Sequence, residues 1–212
     1  MSQQEGVIKY ELIHSYKPVT DPATVSEINA WRSVIYRLGL IGQDPGRYGG
    51  LGYGNISLRP DPNRNVFMIS GTQTGHLAQL KADHFCTIEH ADFIHNTIRS
   101  SGTSKPSSEA LTHAIVYHQS AFIQAVIHAH SPEIWHHTAE LHLPHTPSDV
   151  TYGTLAMARA VETLFNSGMS EPVGIFTMLG HEDGVVAFGR SLEQAAWELI
   201  RHLVRAILIE QP

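Results

Sequence analysis

Short apolar segments with strand character alternate along this chain with amphipathic helical segments, without a regular strand–helix–strand repeat. Residues 55–58 and 65–70 flank a turn rich in Pro, Asp and Asn, which predicts an antiparallel hairpin. A parallel sheet would instead require recurrent helical crossovers between its strands. The alternation therefore predicts an α/β fold in which helices cover a mostly antiparallel sheet.

The remaining elements are predicted from periodicity and from capping residues. Further strands are expected at 125–130, 174–179 and 184–188. Helices are expected from a Thr24/Glu27 capping box to Gly39, after residues 106–109, at 155–165, and from a Ser191/Gln194 capping box onwards. The first twenty residues are mixed, so the first element is predicted to begin at Thr24. No phosphate-binding P-loop and no Gly-x-Gly-x-x-Gly motif occurs, which disfavours the common nucleotide-binding folds.

Length and composition exclude several classes of protein. A chain of 212 residues that is 42% hydrophobic is expected to form a single domain over residues 1–212. A net charge of −6 without a Lys/Arg cluster argues against nucleic acid as a partner. The lone Cys86 excludes an internal disulfide and is expected to pack in the core. Residues 1–5 lack the pattern of a signal peptide and no apolar run would span a membrane, so a cytoplasmic protein is expected, without a membrane partner.

Histidine is the most unusual residue type in this chain, because its 15 copies outnumber the 14 Lys and Arg residues. A His-x-His pair is expected by chance about once at this abundance, so the spacing of His128 and His130 means little without its context. These two residues share one face of a predicted strand at its end, and His181 lies in a turn between two other strands. Three imidazoles with an open fourth position are typical of catalytic zinc, although three separately hydrogen-bonded histidines would fit the spacing equally well.

Glu109 and the serines before it mark the start of a predicted helix. Amide and hydroxyl donors at a helix N-terminus can hold an oxyanion or a phosphate, and a carboxylate near a metal can act as a general base. An ordinary helix cap is the simpler interpretation of these residues. His113 follows one turn later and could face the same site or pair with Glu109. Histidines 136, 137, 142 and 145 lie in an irregular segment and are expected to be exposed or at an interface.

Six motifs, in this order, carry a resemblance to a known family. They are Gly54-Asn55-Ile56-Ser57, Ser70-Gly71-Thr72, Pro106-Ser107-Ser108-Glu109, His128-Ala129-His130-Ser131-Pro132, Tyr152-Gly153-Thr154 and Gly180-His181-Glu182-Asp183-Gly184. Together they resemble the class II aldolase/adducin family over roughly residues 54–196. The resemblance implies a three-layer α/β/α fold with a mostly antiparallel central sheet, zinc at the strand ends, and a homotetramer with sites at the subunit interfaces.

The resemblance also implies roles for individual residues. His128, His130 and His181 correspond to the zinc ligands, with another divalent metal possible, and Glu109 corresponds to the acidic catalytic residue. Tyr152 resembles the tyrosine that reaches a neighbouring subunit's site and donates a proton to the aldehyde oxygen. The positions that resemble the family's phosphate-binding residues are Asn55, Ser70, Gly71, Ser107 and Ser108. No basic residue is evident beside these phosphate motifs.

The activity implied is that of a zinc-dependent aldolase of carbohydrate metabolism, which cleaves a small-molecule sugar phosphate through a metal-bound enediolate. The same fold also serves epimerases, dehydratases and decarboxylases, and the sequence does not separate these reactions. Glu140 would suit a dehydratase. A non-catalytic adducin-like interaction module is the alternative from a different class, although such modules lack the three histidines that this chain retains.

Overall fold

The computed structural model describes residues 7–19, 21–169 and 171–211. Residues 1–5, on which the signal-peptide prediction rests, lie outside them. The strands are β1 Glu11–Tyr16, β2 Gly42–Gln43, β3 Gly52–Tyr53, β4 Asn55–Leu58, β5 Phe67–Ser70, β6 Phe85–Asp92, β7 Thr97–Gly102, β8 Ala125–His130, β9 His145–Thr146, β10 Gly174–Met178 and β11 Gly184–Gly189. The helices are α1 Pro22–Arg37, α2 Ala110–Gln119, α3 Pro132–His136, α4 Leu155–Asn166 and α5 Leu192–Glu210. None of the described helices combines the length and the apolar character needed to span a bilayer.

Nine of these strands form one mixed sheet, in the order β1-β7-β6-β5-β4-β8-β11-β10-β9. The outermost pairs, β1 with β7 and β9 with β10, are parallel, and every pair between them is antiparallel. The prediction of a mostly antiparallel sheet is therefore confirmed, with parallel strands at both edges. The short strands β2 and β3 form a separate antiparallel ribbon.

Helices cover both faces of the sheet and give three layers. On one face α1, α3 and α5 pack over alternate residues of β8, Ala125, Ile127 and Ala129. On the other face α2 and α4 pack over the opposite set, which includes Val126. Because side chains alternate along a strand, His128 and His130 lie on the same face as Val126. The α/β/α prediction is confirmed, and β8 is buried along its whole length at the centre of the sheet.

Several predicted elements match the structure and others need correction. The β4–β5 hairpin, β8 and the cap of α5 are confirmed, and Ser191 accepts a hydrogen bond from the N–H of Gln194. The predicted Thr24 cap is wrong, because Asp21 caps α1 by accepting bonds from the amide and the hydroxyl of Thr24. The prediction that the first element begins at Thr24 is also wrong, since β1 precedes it as an edge strand.

Candidate metal centre and anion pocket

The ends of two central strands bring three histidines together. His128 and His130 lie near the end of β8, where they pair in antiparallel register with Val186 and Gly184 of β11. His181 occupies the turn that enters β11, and this turn is closed by a hydrogen bond from the Gly184 N–H to the His181 carbonyl. The register therefore places the turn directly beside the end of β8, as the strand-end interpretation of the sequence requires.

The three imidazoles form a compact buried group. Their candidate ligand atoms all lie within 4.8 Å of one another, and the ring centroids are 4.8 to 5.1 Å apart. Burial, together with the neighbouring His181 and His128, lowers the pKa of His130 well below its usual value, so the ring is held neutral. Neutral, converging imidazoles are the donors that a divalent transition metal requires, so the group could hold such an ion.

Glu109 points into this group. Its carboxylate Oε1 lies 3.3 Å from Nδ1 of His181, and its side chain makes no capping hydrogen bond to α2. Burial raises the pKa of Glu109, but the contacts with His181 and His128 outweigh this effect and lower the pKa to about 2. The cap interpretation is therefore wrong for the Glu109 side chain, because a buried carboxylate obtains more stabilisation from the histidines than from the first turn.

Asn55 connects β4 to the histidine group. Its side-chain amide lies 3.3 Å from Nδ1 of His128, the residue opposite it in the sheet. Side chains that contact the second ring nitrogen of a metal-binding histidine fix the orientation of the ring. Gly54 permits this approach, since it has a φ of +71° and a Cβ there would lie 2.7 Å from Ile41 and 3.0 Å from the His128 carbonyl.

Tyr152 lies in its own chain's site. Its ring centroid is 4.6 Å from that of His181, its hydroxyl accepts a hydrogen bond from the Val7 N–H, and the residue is fully buried. In the described chain Tyr152 therefore lies beside the histidines of its own chain. The role that the resemblance implies for it, in a neighbouring subunit's site, stays a prediction.

A second tyrosine, which was not among the predicted site residues, covers the group from the other side. Tyr48 packs edge-on against His130, with 4.5 Å between ring centroids, and donates a 2.6 Å hydrogen bond to Asp183. Arg47 donates to the Tyr48 hydroxyl and lies 3.6 Å from Asp183. The glycine-rich composition around Tyr48 is typical of a loop that can approach another group closely, and it is the signal in the sequence for these residues.

Beneath the group, α2 contributes a buried polar chain. Nδ1 of His113 and the hydroxyl of Tyr117 each lie 2.7 Å from the Ser57 hydroxyl. Burial, together with the nearby His128, lowers the pKa of His113 to about 3. His113 therefore faces the interior as a neutral ring, and Ser57 serves it rather than a ligand.

Next to the histidines lies a small pocket lined by uncharged donors and glycines. Among the described residues the lining comprises Gly52, Gly54, Asn55, Gly71, Thr72, Gln73, Thr74, Gly75, Ser107 and Ser108. Four of the five residues predicted to hold a phosphate are in this set. Ser70 is not, because its hydroxyl accepts a hydrogen bond from the Ile56 N–H within the sheet. The pocket and the histidine group share Asn55, and Ser108 directly precedes Glu109.

Two other sequence expectations can be read from the structure. His136, His142 and His145 are exposed, as predicted for the irregular segment, while His137 is half-buried and lies 3.4 Å from Glu210. Cys86 is buried in the core, also as predicted.

Comparison with known proteins agrees with this geometry. The sequence profile of the "Class II Aldolase and Adducin N-terminal domain" matches residues 47–207, which is more than half of the chain. The chain belongs to the class II aldolase and adducin family. The matched region contains the three histidines, Glu109, Tyr152 and every residue that lines the adjacent pocket among those described. No protein of curated function matches the chain by sequence.

Solved structures of class II aldolase family members share the fold. An L-fuculose 1-phosphate aldolase superposes with a TM-score of 0.66 at 18% identity, covering 91% of this chain and 88% of that one. The L-fuculose-1-phosphate aldolase of Thermus thermophilus gives a TM-score of 0.60 at 15% identity, with 88% and 92% covered. YgbL of Escherichia coli, described as an aldolase, epimerase or decarboxylase, gives 0.63 at 19% identity, with 88% and 87% covered. At these identities the likeness establishes the fold.

Proposed function

We propose that this protein is a metal-dependent lyase that cleaves a ketose phosphate into an aldehyde and a smaller phosphorylated ketone. The observation that carries the proposal is the convergence of three buried histidines and a buried carboxylate beside a pocket of uncharged anion donors. Neither half alone would identify a reaction. Together they provide a place for the reacting carbonyl and a place for the phosphate of one substrate.

His128, His130 and His181 would hold the metal, and zinc is the proposed ion because three histidines with an open fourth position are typical of catalytic zinc sites. A divalent ion held there would supply Lewis-acid polarisation of the substrate's carbonyl. Asn55 orients the His128 ring, and Tyr48 packs against His130. These contacts would keep the His128 and His130 rings in one arrangement during turnover.

Glu109 is proposed to move the proton on the carbon next to the substrate carbonyl. In the cleavage direction Glu109 would deliver a proton to the carbon that keeps the electron pair of the broken C–C bond, which balances the proton lost by the hydroxyl of the aldehyde fragment. In the reverse direction the carboxylate would accept that proton, and burial keeps bulk water away from it. Tyr152 is proposed to exchange a proton with the oxygen of the aldehyde fragment, from its place beside His181.

The phosphate is proposed to lie in the pocket at the N-terminus of α2. Ser107 and Ser108 precede the first turn of this ten-residue helix, where unpaired amides and the helix dipole favour an anion. Asn55 and Gly71 line the same pocket. A phosphate held there lies close to Glu109, which follows Ser108 in the chain. Ser70 is proposed to support the pocket through its bond to β4.

The remaining parts of the proposal are the domain organisation, the oligomeric state and the cellular location of the protein. The described residues form one nine-stranded sheet with helices on both faces, which supports a single domain over residues 1–212. Family resemblance supports a homotetramer in the cytoplasm, acting in carbohydrate metabolism, with residues of neighbouring subunits near the site.

The proposal is tested by incubating the zinc-loaded protein with a panel of ketose phosphates and identifying the products by mass spectrometry. We expect aldehyde and dihydroxyacetone phosphate from at least one ketose 1-phosphate, and much slower release of both products by the Glu109→Gln variant. Epimerised, dehydrated or decarboxylated products without C–C cleavage to an aldehyde would replace the lyase assignment with the corresponding reaction of the same fold. Native protein that binds no metal and transforms no substrate would contradict the enzyme assignment and favour an adducin-like interaction module.

A further inference from the structure

The anion pocket has no charged residue in its described lining, although phosphate carries up to two negative charges. Neutral hydroxyls and amides can hold an anion, but a nearby cation strengthens such a site considerably. Within this chain a basic residue can act on the pocket from behind its lining, and Arg32 lies in this position.

Arg32 is a buried cation on α1, with 1% of its surface exposed. Its guanidinium donates to three backbone carbonyls of one loop, those of Leu77 at 2.7 Å, Thr74 at 3.0 Å and Ala78 at 3.3 Å. No carboxylate of the described residues lies within ion-pair distance of it. Burial lowers the pKa of Arg32 to about 10, which leaves it charged at neutral pH. A buried positive charge that is bonded to backbone carbonyls and has no carboxylate partner among the described residues therefore lies directly behind the loop.

The loop that Arg32 holds also forms one wall of the anion pocket, through Thr74 and Gly75. In a trans peptide the C=O and N–H point in opposite directions, so the Thr74 carbonyl that faces Arg32 turns the Gly75 N–H away from it. Gly75 is also pressed against the β2–β3 ribbon, since a Cβ there would lie 2.2 Å from the Gly42 carbonyl oxygen and 2.6 Å from Gly52 Cα. The position of the loop is thus fixed from both sides.

We propose that Arg32 is a positioning residue for the substrate's phosphate. It holds the Thr74–Gly75 peptide with its N–H turned to the pocket side, and its charge reaches the anion through the aligned peptide. Arg32 does not contact the substrate. The inference rests on the proposed function, because it assumes that the pocket receives the phosphate.

The chain contains a matched control for this residue. Arg59 is equally buried, with 1% of its surface exposed, and it also donates to backbone carbonyls of one segment, those of Tyr117 at 3.1 Å, Ser120 at 2.6 Å, and Ile123. That segment is the end of α2 and the turn after it, which does not line the pocket. Loss of either guanidinium therefore removes similar hydrogen bonds, but only Arg32 supports the pocket wall.

The experiment compares Arg32→Lys with Arg59→Lys in the full-length, metal-loaded protein. Binding of inorganic phosphate is measured by calorimetry, and kcat and KM are measured with the ketose phosphate that the panel identifies. Arg32→Lys is expected to weaken phosphate binding about tenfold and to raise KM about as much, because a lysine ammonium does not reproduce the fixed planar set of donors with which the guanidinium holds the loop. Its kcat should change less than about threefold, because the phosphate lies away from the reacting carbon.

Arg59→Lys should lower the melting temperature to a similar degree but change the phosphate affinity less than about twofold, as expected for a site that only stabilises the fold. Equal phosphate affinities in the two variants would overturn the role of Arg32 and leave the proposed function intact. Absence of phosphate binding to the wild-type protein would overturn both, since the pocket would then not be an anion site.

A measurement on the wild-type protein covers the case in which Arg32→Lys does not fold. The side-chain Nε–H signals of the two buried arginines can be followed by NMR while inorganic phosphate is added. The Arg32 signal should shift with the same saturation curve as the calorimetric titration, and the Arg59 signal should stay in place. An unchanged Arg32 signal at saturating phosphate would contradict the proposal.

Discussion

Two groups of histidines in this protein have the same side chains and opposite environments. His128, His130 and His181 are buried, with their candidate ligand atoms within 4.8 Å of one another. The second group, His136, His137, His142 and His145, lies along α3, the following turns and β9, and three of its four members are exposed. The histidines of the second group lie close together in sequence, but among the described residues they do not form a group whose ring nitrogens converge on one point.

The difference shows that a candidate metal centre arises here from backbone register and burial more than from the large number of histidines in the chain. The first group arises because β8 and β11 pair in a register that places a turn beside a strand end. Burial then lowers the pKa of His130 and keeps that ring neutral. A substitution in the buried group can therefore be compared with a control substitution in the second group or at an exposed position.

The largest effect is expected from His181→Ala, which removes one of three ligands. Metal content measured by elemental analysis should fall from a single ion per chain to near zero, and lyase activity should disappear with it. His142→Ala removes an exposed histidine of the second group and should leave both quantities unchanged. Equal metal content in the two variants would mean that the buried group is not the metal site.

Glu109→Gln should lower kcat by about 10² to 10⁴, since the amide cannot accept the proton. The variant should still bind its metal, which separates proton transfer from metal binding. Glu140→Gln is the control, because Glu140 is an exposed carboxylate beside the second group of histidines, 3.8 Å from His137. A larger loss of kcat in Glu140→Gln would favour the dehydratase interpretation of that residue.

Asn55→Ala should weaken metal affinity about 10- to 100-fold by removing the amide that orients His128. A competition titration with a chelating dye measures this change directly. Asn63→Ala serves as a surface control, because Asn63 is exposed in the turn between β4 and β5. An unchanged affinity in Asn55→Ala would show that the His128 ring is held by other contacts.

The smallest expected effect concerns the pH dependence of stability through His113. Its pKa is about 3 when folded, against 6.5 as the usual value, so between these limits the unfolded chain binds a proton that the folded chain does not. Stability should therefore fall as the pH falls below 6.5, with a contribution from His113 of about 2 kcal/mol by pH 5.

Denaturant unfolding of the wild type and His113→Gln between pH 7 and pH 5 isolates that contribution. The variant should lose less stability over this range than the wild type, with metal content held equal. Parallel pH profiles for the two proteins would contradict the assignment of His113 as a buried neutral ring.

Local signals in the sequence were enough to predict much of the fold. The cap of α5 depends on residues three apart, and the β4–β5 hairpin depends on one turn, so both can be read from short windows. By contrast, β1 pairs with β7, which lies some eighty residues further along the chain. Residues near β1 in the sequence carry no signal for this pairing. An edge strand with exposed side chains also lacks a clear apolar pattern.

The candidate site also contains residues that local sequence indicates and residues that only long-range packing brings together. The three histidines and Glu109 could be predicted because strand ends and family motifs mark them. The contact of Tyr48 with Asp183 joins residues 135 positions apart, and Arg32 reaches a loop more than 40 positions away. Such contacts depend on how α1 and the glycine-rich loop pack, which a single sequence does not specify.

The central claim is that the buried histidine group holds a divalent metal on which lyase activity depends. The most direct measurement removes metal from the native protein with a chelator, follows aldehyde release from the ketose phosphate, and then adds Zn²⁺ in steps. The account predicts that activity vanishes on removal and returns in proportion to bound zinc, up to a single ion per chain. Full activity in the metal-free protein would contradict the account.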